Sequence, residues 1–233
     1  MKPSQNIVAI LAGGVGSRVG GEMPKQFLML GGKRVIEHTV EAFERHPMID
    51  AIVVVMHPDY LATMEALVEQ NGWQKVKGVF PGGSQRVDST LSALQGCEWA
   101  DNEDRILIHD AARPLVSSRI ITDVVTALDA YEAVAVGVPA TDTLWMVSDK
   151  GEIESIPDRS LMRCAQTPQA FRMGLIREAC RRALEDPRLK ATDDCGVVVR
   201  YVPEVKIHVV EGDIENVKIT YPKDINQIEQ YLL

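Results

Sequence analysis

A glycine-rich turn, Leu11-Ala12-Gly13-Gly14-Val15-Gly16-Ser17-Arg18, directly follows an apolar run at residues 7–11 and precedes Pro24-Lys25-Gln26-Phe27. Glycines at such a turn let backbone N–H groups approach phosphate oxygens with no Cβ in the way. Arg18 and Lys25 add two full positive charges, able to stabilise negative charge developing on a transferring phosphoryl group. The combination suits a nucleoside triphosphate; a plain structural turn with solvated Arg18 and Lys25 is the alternative. Two familiar phosphate loops are excluded. A P-loop needs Gly-Lys-Ser/Thr, and Gly32-Lys33 is followed by Arg34. The dinucleotide fingerprint would need glycine at Val19, and no acidic strand end follows at the usual distance.

These groups must be positioned by regular elements. Apolar runs at residues 7–11, 51–56, 76–80, 105–109 and 133–138 read as buried strands, with helical spacing at 35–45, 60–71, 84–94 and 118–130 between them. The alternation predicts an α/β fold with a mainly parallel sheet and helices on both faces. Ligands of such sheets bind at the carboxyl edge of the strands, where loops 12–18, 81–84 and 110–114 begin. Three distant loops are thus predicted to bring Arg18, Lys25, Asp110 and Arg113 into one cleft. The pattern changes at 143–147 and 153–156, which read as a β-hairpin around a turn at 148–151. A two-stranded arm carrying Leu144, Trp145, Met146 and Ile153 is marginal alone in water and is expected to pack against another subunit. Residues 173–184 read as a helix, 206–210 as a strand and 222–233 as a terminal helix.

With 233 residues, a single domain over 1–233 is expected, including the arm at about 139–160. A formal charge of −8 argues against a surface that coats nucleic acid or binds membranes through basic clusters, so any anion site must be local. Cys97, Cys164, Cys180 and Cys195 lack Cys-x-x-Cys spacing, which argues against a zinc site or a redox pair. Residues 1–6 are polar and no apolar run nears the roughly 18 residues of a membrane span, so cytoplasmic residence is expected.

Taken with His109-Asp110-Ala111-Ala112-Arg113-Pro114, Ala165-Gln166-Thr167-Pro168-Gln169 and Glu215-Asn216-Val217-Lys218-Ile219-Thr220, the first two motifs resemble the cytidylyltransferases that act on polyol phosphates. The likeness spans nearly the whole chain. It is greater to the 2-C-methyl-D-erythritol 4-phosphate cytidylyltransferases of the non-mevalonate isoprenoid pathway, with the ribitol-5-phosphate cytidylyltransferases as near relatives. The resemblance implies a nucleotide-diphospho-sugar transferase type fold and a homodimer whose projecting arms exchange contacts. It implies transfer of CMP from CTP to a polyol phosphate, giving a CDP-alcohol and pyrophosphate, with Mg²⁺ or another divalent cation. A nucleotide-binding regulator that has lost turnover belongs to a different class; the retained Arg18, Lys25, Asp110 and Lys218 argue against it.

Carried over residue by residue, the resemblance makes Arg18 and Lys25 the transition-state cations. Ala12, Gly13, Gly14 and Gly16 become the triphosphate turn, and Gly83, Ser84 and Ser89 the surroundings of base and ribose. Asp110, with Ala111 and Arg113 beside it, corresponds to the position that meets metal and substrate; a helix cap is its alternative. Lys218 corresponds to the lysine holding substrate and nucleotide phosphates. Arg159 and Thr143 correspond to arm residues that reach substrate across the dimer, and arginine's planar fork suits phosphate. Thr167 and Thr192 correspond to further substrate-side positions, and Asp193 and Asp194 to a loop that could equally cap a helix. Gly13 departs from the alanine common in methylerythritol enzymes and agrees with the ribitol group, whereas His109-Asp110-Ala111-Ala112-Arg113-Pro114, Thr192-Asp193-Asp194 and Glu211-Gly212-Asp213-Ile214-Glu215-Asn216 are closer to the methylerythritol pattern. Val19 replaces a usual methionine, a volume-tolerant change.

Overall fold

The computed structural model describes residues 3–14, 24–83, 85–189, 191–221 and 223–231. Chain order is β1 (Asn6–Ala12), β2 (Met29–Leu30), β3 (Lys33–Arg34), α1 (Val35–Glu44), β4 (Ala51–Met56), α2 (Leu61–Asn71), β5 (Val76–Pro81), α3 (Arg86–Gln95), β6 (Arg105–Asp110), α4 (Ser118–Ala127) and β7 (Ala133–Pro139). Then follow β8 (Met146–Val147), β9 (Ile153–Ser155), β10 (Arg163–Arg172), α5 (Met173–Leu184), α6 (Asp194–Tyr201), β11 (Ile207–Glu211) and α7 (Lys223–Glu229).

Seven strands form one sheet in the order β11-β7-β10-β6-β1-β4-β5. Every pairing is parallel except those of β10, which runs antiparallel to both β6 and β7. Alternation along β1 explains the layering. Val8 and Ile10 face a core shared with Ile36, Val40 and Phe43 of α1, Met64 of α2 and Ile120 and Val124 of α4. Ile7, Ala9 and Leu11 face the opposite core with Ala93 of α3, Ile176 of α5 and Val198 of α6. Both faces of the sheet are therefore covered, as near-continuous apolar strands require. Burying each such side chain contributes roughly 1.5–3 kcal/mol.

Side chains fix where several helices begin. Ser117 accepts from the Ile120 N–H to start α4, and Asp193 accepts from the Gly196 N–H at 2.8 Å to start α6. The Gln85 N–H donates to Asp88 Oδ2, closing the first turn of α3 just after the loop at the end of β5. A smaller cluster of Leu30, Val35, Ala112, Ile219 and Ile228 holds α7 and the 217–219 segment against the loop that follows β6. The terminal helix is shorter than its sequence pattern suggests, ending at Glu229, with Asp224 accepting from the Thr220 and Tyr221 N–H groups at its start.

The hairpin forms, but its paired strands β8 and β9 are shorter than predicted. From 141 to 165 no residue is buried. Among the described residues, no helix is long and apolar enough to cross a membrane.

Candidate active site

A cleft of about 390 Å³ opens at the carboxyl edge of the sheet. Ala12, Gly13, Gly14, Lys25, Gly83, Ser89, Asp110, Ala111 and Lys218 all line it, so the ends of β1, β5 and β6 converge there. The glycines permit a close approach of two loops. A Cβ on Gly13 would stand 3.0 Å from Ser89 Oγ and 3.4 Å from the Gly82 Cα, and one on Gly83 would overlap Asp88 at 2.2 Å. Gln26, itself buried, ties the turn down: its Nε2 donates to the Ala12 carbonyl at 2.8 Å and to the Gly14 carbonyl at 3.4 Å. Lys25 Nζ donates to the Ile219 carbonyl at 2.8 Å, which draws the ammonium towards the segment bearing Lys218. Gly16, Arg18 and Ser84 lie outside the described residues.

Asp110 is the last residue of β6 and the centre of the charge arrangement. Arg86 Nη1 donates to its Oδ1, Lys218 Nζ reaches Oδ2 at 2.7 Å and Arg113 Nε stands 3.8 Å from Oδ2. Burial works to raise the Asp110 carboxyl, but Arg86, Lys218 and Arg113 outweigh it and hold the group well below the usual carboxylate range. No helix follows Asp110, so it is not a helix cap.

Behind it, Thr167 Oγ1 accepts from the Asp110 N–H at 3.1 Å. The threonine hydroxyl therefore donates its own proton to His109 Nδ1, 3.0 Å away, leaving His109 Nε2–H to donate to the Arg113 carbonyl at 3.1 Å. That chain requires a neutral ring, and burial pushes His109 down to about 4.

The remaining predicted residues lie elsewhere. Arg113 is buried, its Nη1 donating to the Asn216 carbonyl at 2.7 Å and its Nη2 to the Ala165 carbonyl at 3.3 Å, so it ties main-chain segments together and does not line the cleft. Thr167 is likewise buried behind the cleft floor, and Thr192 is exposed beside the start of α6. Thr143 and Arg159 are exposed on the arm, where Arg159 Nη1 donates to the Thr141 carbonyl at 2.7 Å. Of the two loop carboxylates, Asp193 caps α6 whereas Asp194 is buried, accepting from Arg86 Nη2 at 2.7 Å and Thr90 Oγ1 at 2.5 Å.

Sequence reasoning missed Arg86, which lines the cleft and bridges Asp110 to Asp194. A cation three residues after the Pro81-Gly82-Gly83 turn was the available signal; its two partners lie 24 and 108 residues away in sequence. Gln26, His57 and Gln85 also line the cleft unpredicted.

Residues 6–233 match the sequence model of the 2-C-methyl-D-erythritol 4-phosphate cytidylyltransferase family. A protein of Thermobifida fusca named 2-C-methyl-D-erythritol 4-phosphate cytidylyltransferase is 46% identical over 228 residues, covering 96% of this chain and 92% of that one. A Haemophilus influenzae protein named bifunctional ribulose 5-phosphate reductase/CDP-ribitol pyrophosphorylase is 39% identical over 97% of this chain, but over only 48% of its own length. Among solved structures, the 4-diphosphocytidyl-2C-methyl-D-erythritol synthase of Anaerococcus prevotii superposes with a TM-score of 0.84 at 27% identity, covering 98% of this chain and 96% of that one.

Proposed function

The chain belongs to the 2-C-methyl-D-erythritol 4-phosphate cytidylyltransferase family, and on that premise we propose that the cleft around Asp110 is where CMP passes from CTP to the acceptor phosphate. The protein is a nucleotidyltransferase that acts on CTP and a phosphorylated sugar alcohol, 2-C-methyl-D-erythritol 4-phosphate. One observation carries the assignment of the cleft: Lys218, far away in sequence, lines a single cavity with Lys25 and the glycine turn in an otherwise acidic molecule.

In the reaction an acceptor phosphate oxygen bonds to the α-phosphorus of CTP as the bridge to the β-phosphate breaks, and pyrophosphate leaves with the electron pair. No covalent enzyme intermediate is needed, so the protein's task is to align two polyanions and neutralise the charge that builds on them. The backbone of Gly13 and Gly14 receives the triphosphate, and Lys25, with Arg18, stabilises the charge on the transferring and leaving phosphates. Lys218 holds the acceptor against the nucleotide, and Gly83 and Ser89 border base and ribose.

Mg²⁺ is held in proteins by one or two carboxylates with phosphate and water oxygens completing its shell. Asp110 fits that part, since it is a carboxylate on the cleft wall with one close donor on each oxygen and lone pairs to spare. Among the described residues no cluster of acidic, histidine and cysteine side chains would hold the ion without the nucleotide. A cation bound there would offset phosphate charge.

The arm completes a homodimer in this reading. Its apolar residues Leu144, Trp145, Met146 and Ile153 are exposed, and Arg159 and Thr143, exposed on the same arm, do not line the cleft of their own chain, so a second copy would bring them to an acceptor. A cytoplasmic setting accords with four free thiols.

Pyrophosphate release measured with each of the four nucleoside triphosphates, against methylerythritol phosphate and ribitol phosphate, tests the function. CTP with methylerythritol phosphate is expected to dominate. A preference for UTP, or for ribitol phosphate as acceptor, would overturn it.

A further inference from the structure

Arg86 is the first residue of α3 and the cation that joins two carboxylates. Its Nε and Nη2 both donate to Asp194 Oδ2, at 3.2 and 2.7 Å, while Nη1 donates to Asp110 Oδ1. The Asp194 end is firmly anchored. That carboxylate is buried and also takes Thr90 Oγ1, and the Asp194 and Cys195 N–H groups donate to Gln169 Oε1 on β10 at 3.0 and 2.9 Å. The other close partner of Asp110 is less constrained, since the Lys218 side chain is 42% exposed against 19% for Arg86.

We infer that Arg86 is a positioning residue for the transfer reaction: anchored by Asp194, it occupies Asp110 Oδ1 and thereby turns Oδ2 towards Lys218. The inference rests on the functional reading of the cleft and deepens it. Arginine is required because a planar fork can serve two carboxylates at fixed angles, which a single ammonium cannot. The competing role is purely structural: Arg86 neutralises Asp194, which would otherwise be a buried unpaired charge.

Steady-state kinetics and thermal unfolding of the full chain separate the two. Arg86→Gln alone leaves Asp194 uncompensated, so Asp194→Asn is added. The double variant is expected to unfold within about 4 °C of the wild type, with kcat reduced at least about tenfold and KM for CTP changed less than about threefold. Wild-type kcat in that variant would overturn the inference, leaving only charge neutralisation. A KM effect without a kcat effect would also overturn it, by making Arg86 a direct nucleotide contact. Should the double variant fail to fold, Arg86→Lys keeps a cation beside Asp194; it is expected to show the same loss of kcat, and wild-type kcat would again refute the role. A cycle with Asp110→Asn adds a second readout. If Arg86 acts through Asp110, the combined variant loses no more than Asp110→Asn alone, whereas additive losses would contradict the inference. A wild-type chain inert towards CTP and both acceptors overturns the functional reading and this inference with it; an active wild type whose Arg86→Gln variant keeps its kcat overturns the inference only.

Discussion

The cleft and the arm are opposites in how they are held. Among the described residues around Asp110, the charged groups are answered from within the chain, Arg86 by two carboxylates, Lys218 by one and Arg113 by two carbonyls, and the neutral His109 ring is held by a threonine hydroxyl and a carbonyl. The arm supports itself with local bonds, such as the Ser148 N–H to the Glu152 carbonyl, while Trp145 remains 60% and Leu161 79% exposed. One region is preorganised before any ligand arrives. The other presents apolar surface and an exposed arginine, the kind of surface the proposed dimer would cover.

This contrast can be broken in order of effect. Lys25→Ala removes the charge proposed to meet the phosphates and is expected to lower kcat about 100-fold or more in a pyrophosphate-release assay; activity near wild type would remove Lys25 from the mechanism. Because His109 is buried neutral, the unfolded chain binds a proton below pH 6.5 that the folded chain refuses until about 4. Stability is therefore lost as pH falls through that window, by roughly 3 kcal/mol at its lower end. Urea unfolding at pH 7 and pH 5 measures the slope, which His109→Gln should flatten and a shortened arm should leave unchanged.

The arm is probed by mixing variants. Lys25→Ala and Arg159→Ala proteins, each defective alone, are expected to recover up to about a quarter of wild-type activity when co-refolded, since half the dimers are mixed and one of their two sites is intact. No recovery would mean that Arg159 serves its own protomer or none. Leu144→Glu with Trp145→Glu should yield monomers in sedimentation while shifting protomer stability by less than about 1 kcal/mol, because neither side chain is buried in the chain. The smallest effect belongs to Gly13→Ala. Its Cβ would press on Ser89 Oγ, a single rotatable hydroxyl, so a stability loss of no more than about 1 kcal/mol and a small rise in KM for CTP are expected.

Much of this architecture was legible because its strands are apolar throughout. Residues 51–56 read as a strand and form β4, and 173–184 read as a helix and form α5 with those bounds. β10 was not legible. Its buried stretch holds Gln166, Thr167, Pro168 and Gln169, whose interior positions are met by hydrogen bonds rather than by hydrophobicity, so a search for apolar periodicity passes over it. The eight residues of α6 were not assigned as a helix, although the loop of Asp193 and Asp194 reads as a possible cap and Asp193 is one; Gln169, which holds that start, lies 24 residues away. In the cleft, charge type and loop position sufficed to bring Asp110 and Lys25 together, whereas Lys218 came only with the resemblance. They could not separate a cation that faces solvent from one locked between carboxylates, which is why Arg86 was missed and Arg113 was expected in the open cleft.

The antiparallel strand β10 begins at Arg163, exposed at the root of the arm, and three residues further on enters the core, where Thr167 receives the Asp110 N–H. It pairs with β7 from Arg163 to Gln166, shifts register between Gln166 and Ala170, where Thr167 lies, and pairs with β6 from Gln169 to Arg172. One residue inserted within 163–166 would slip that stretch against β7 and exchange the faces its side chains take, leaving the register shift before Ala170 as the joint between arm and core. Arms of different reach can therefore be grafted onto this scaffold upstream of Arg163 without disturbing the pairing that carries Thr167 beneath Asp110.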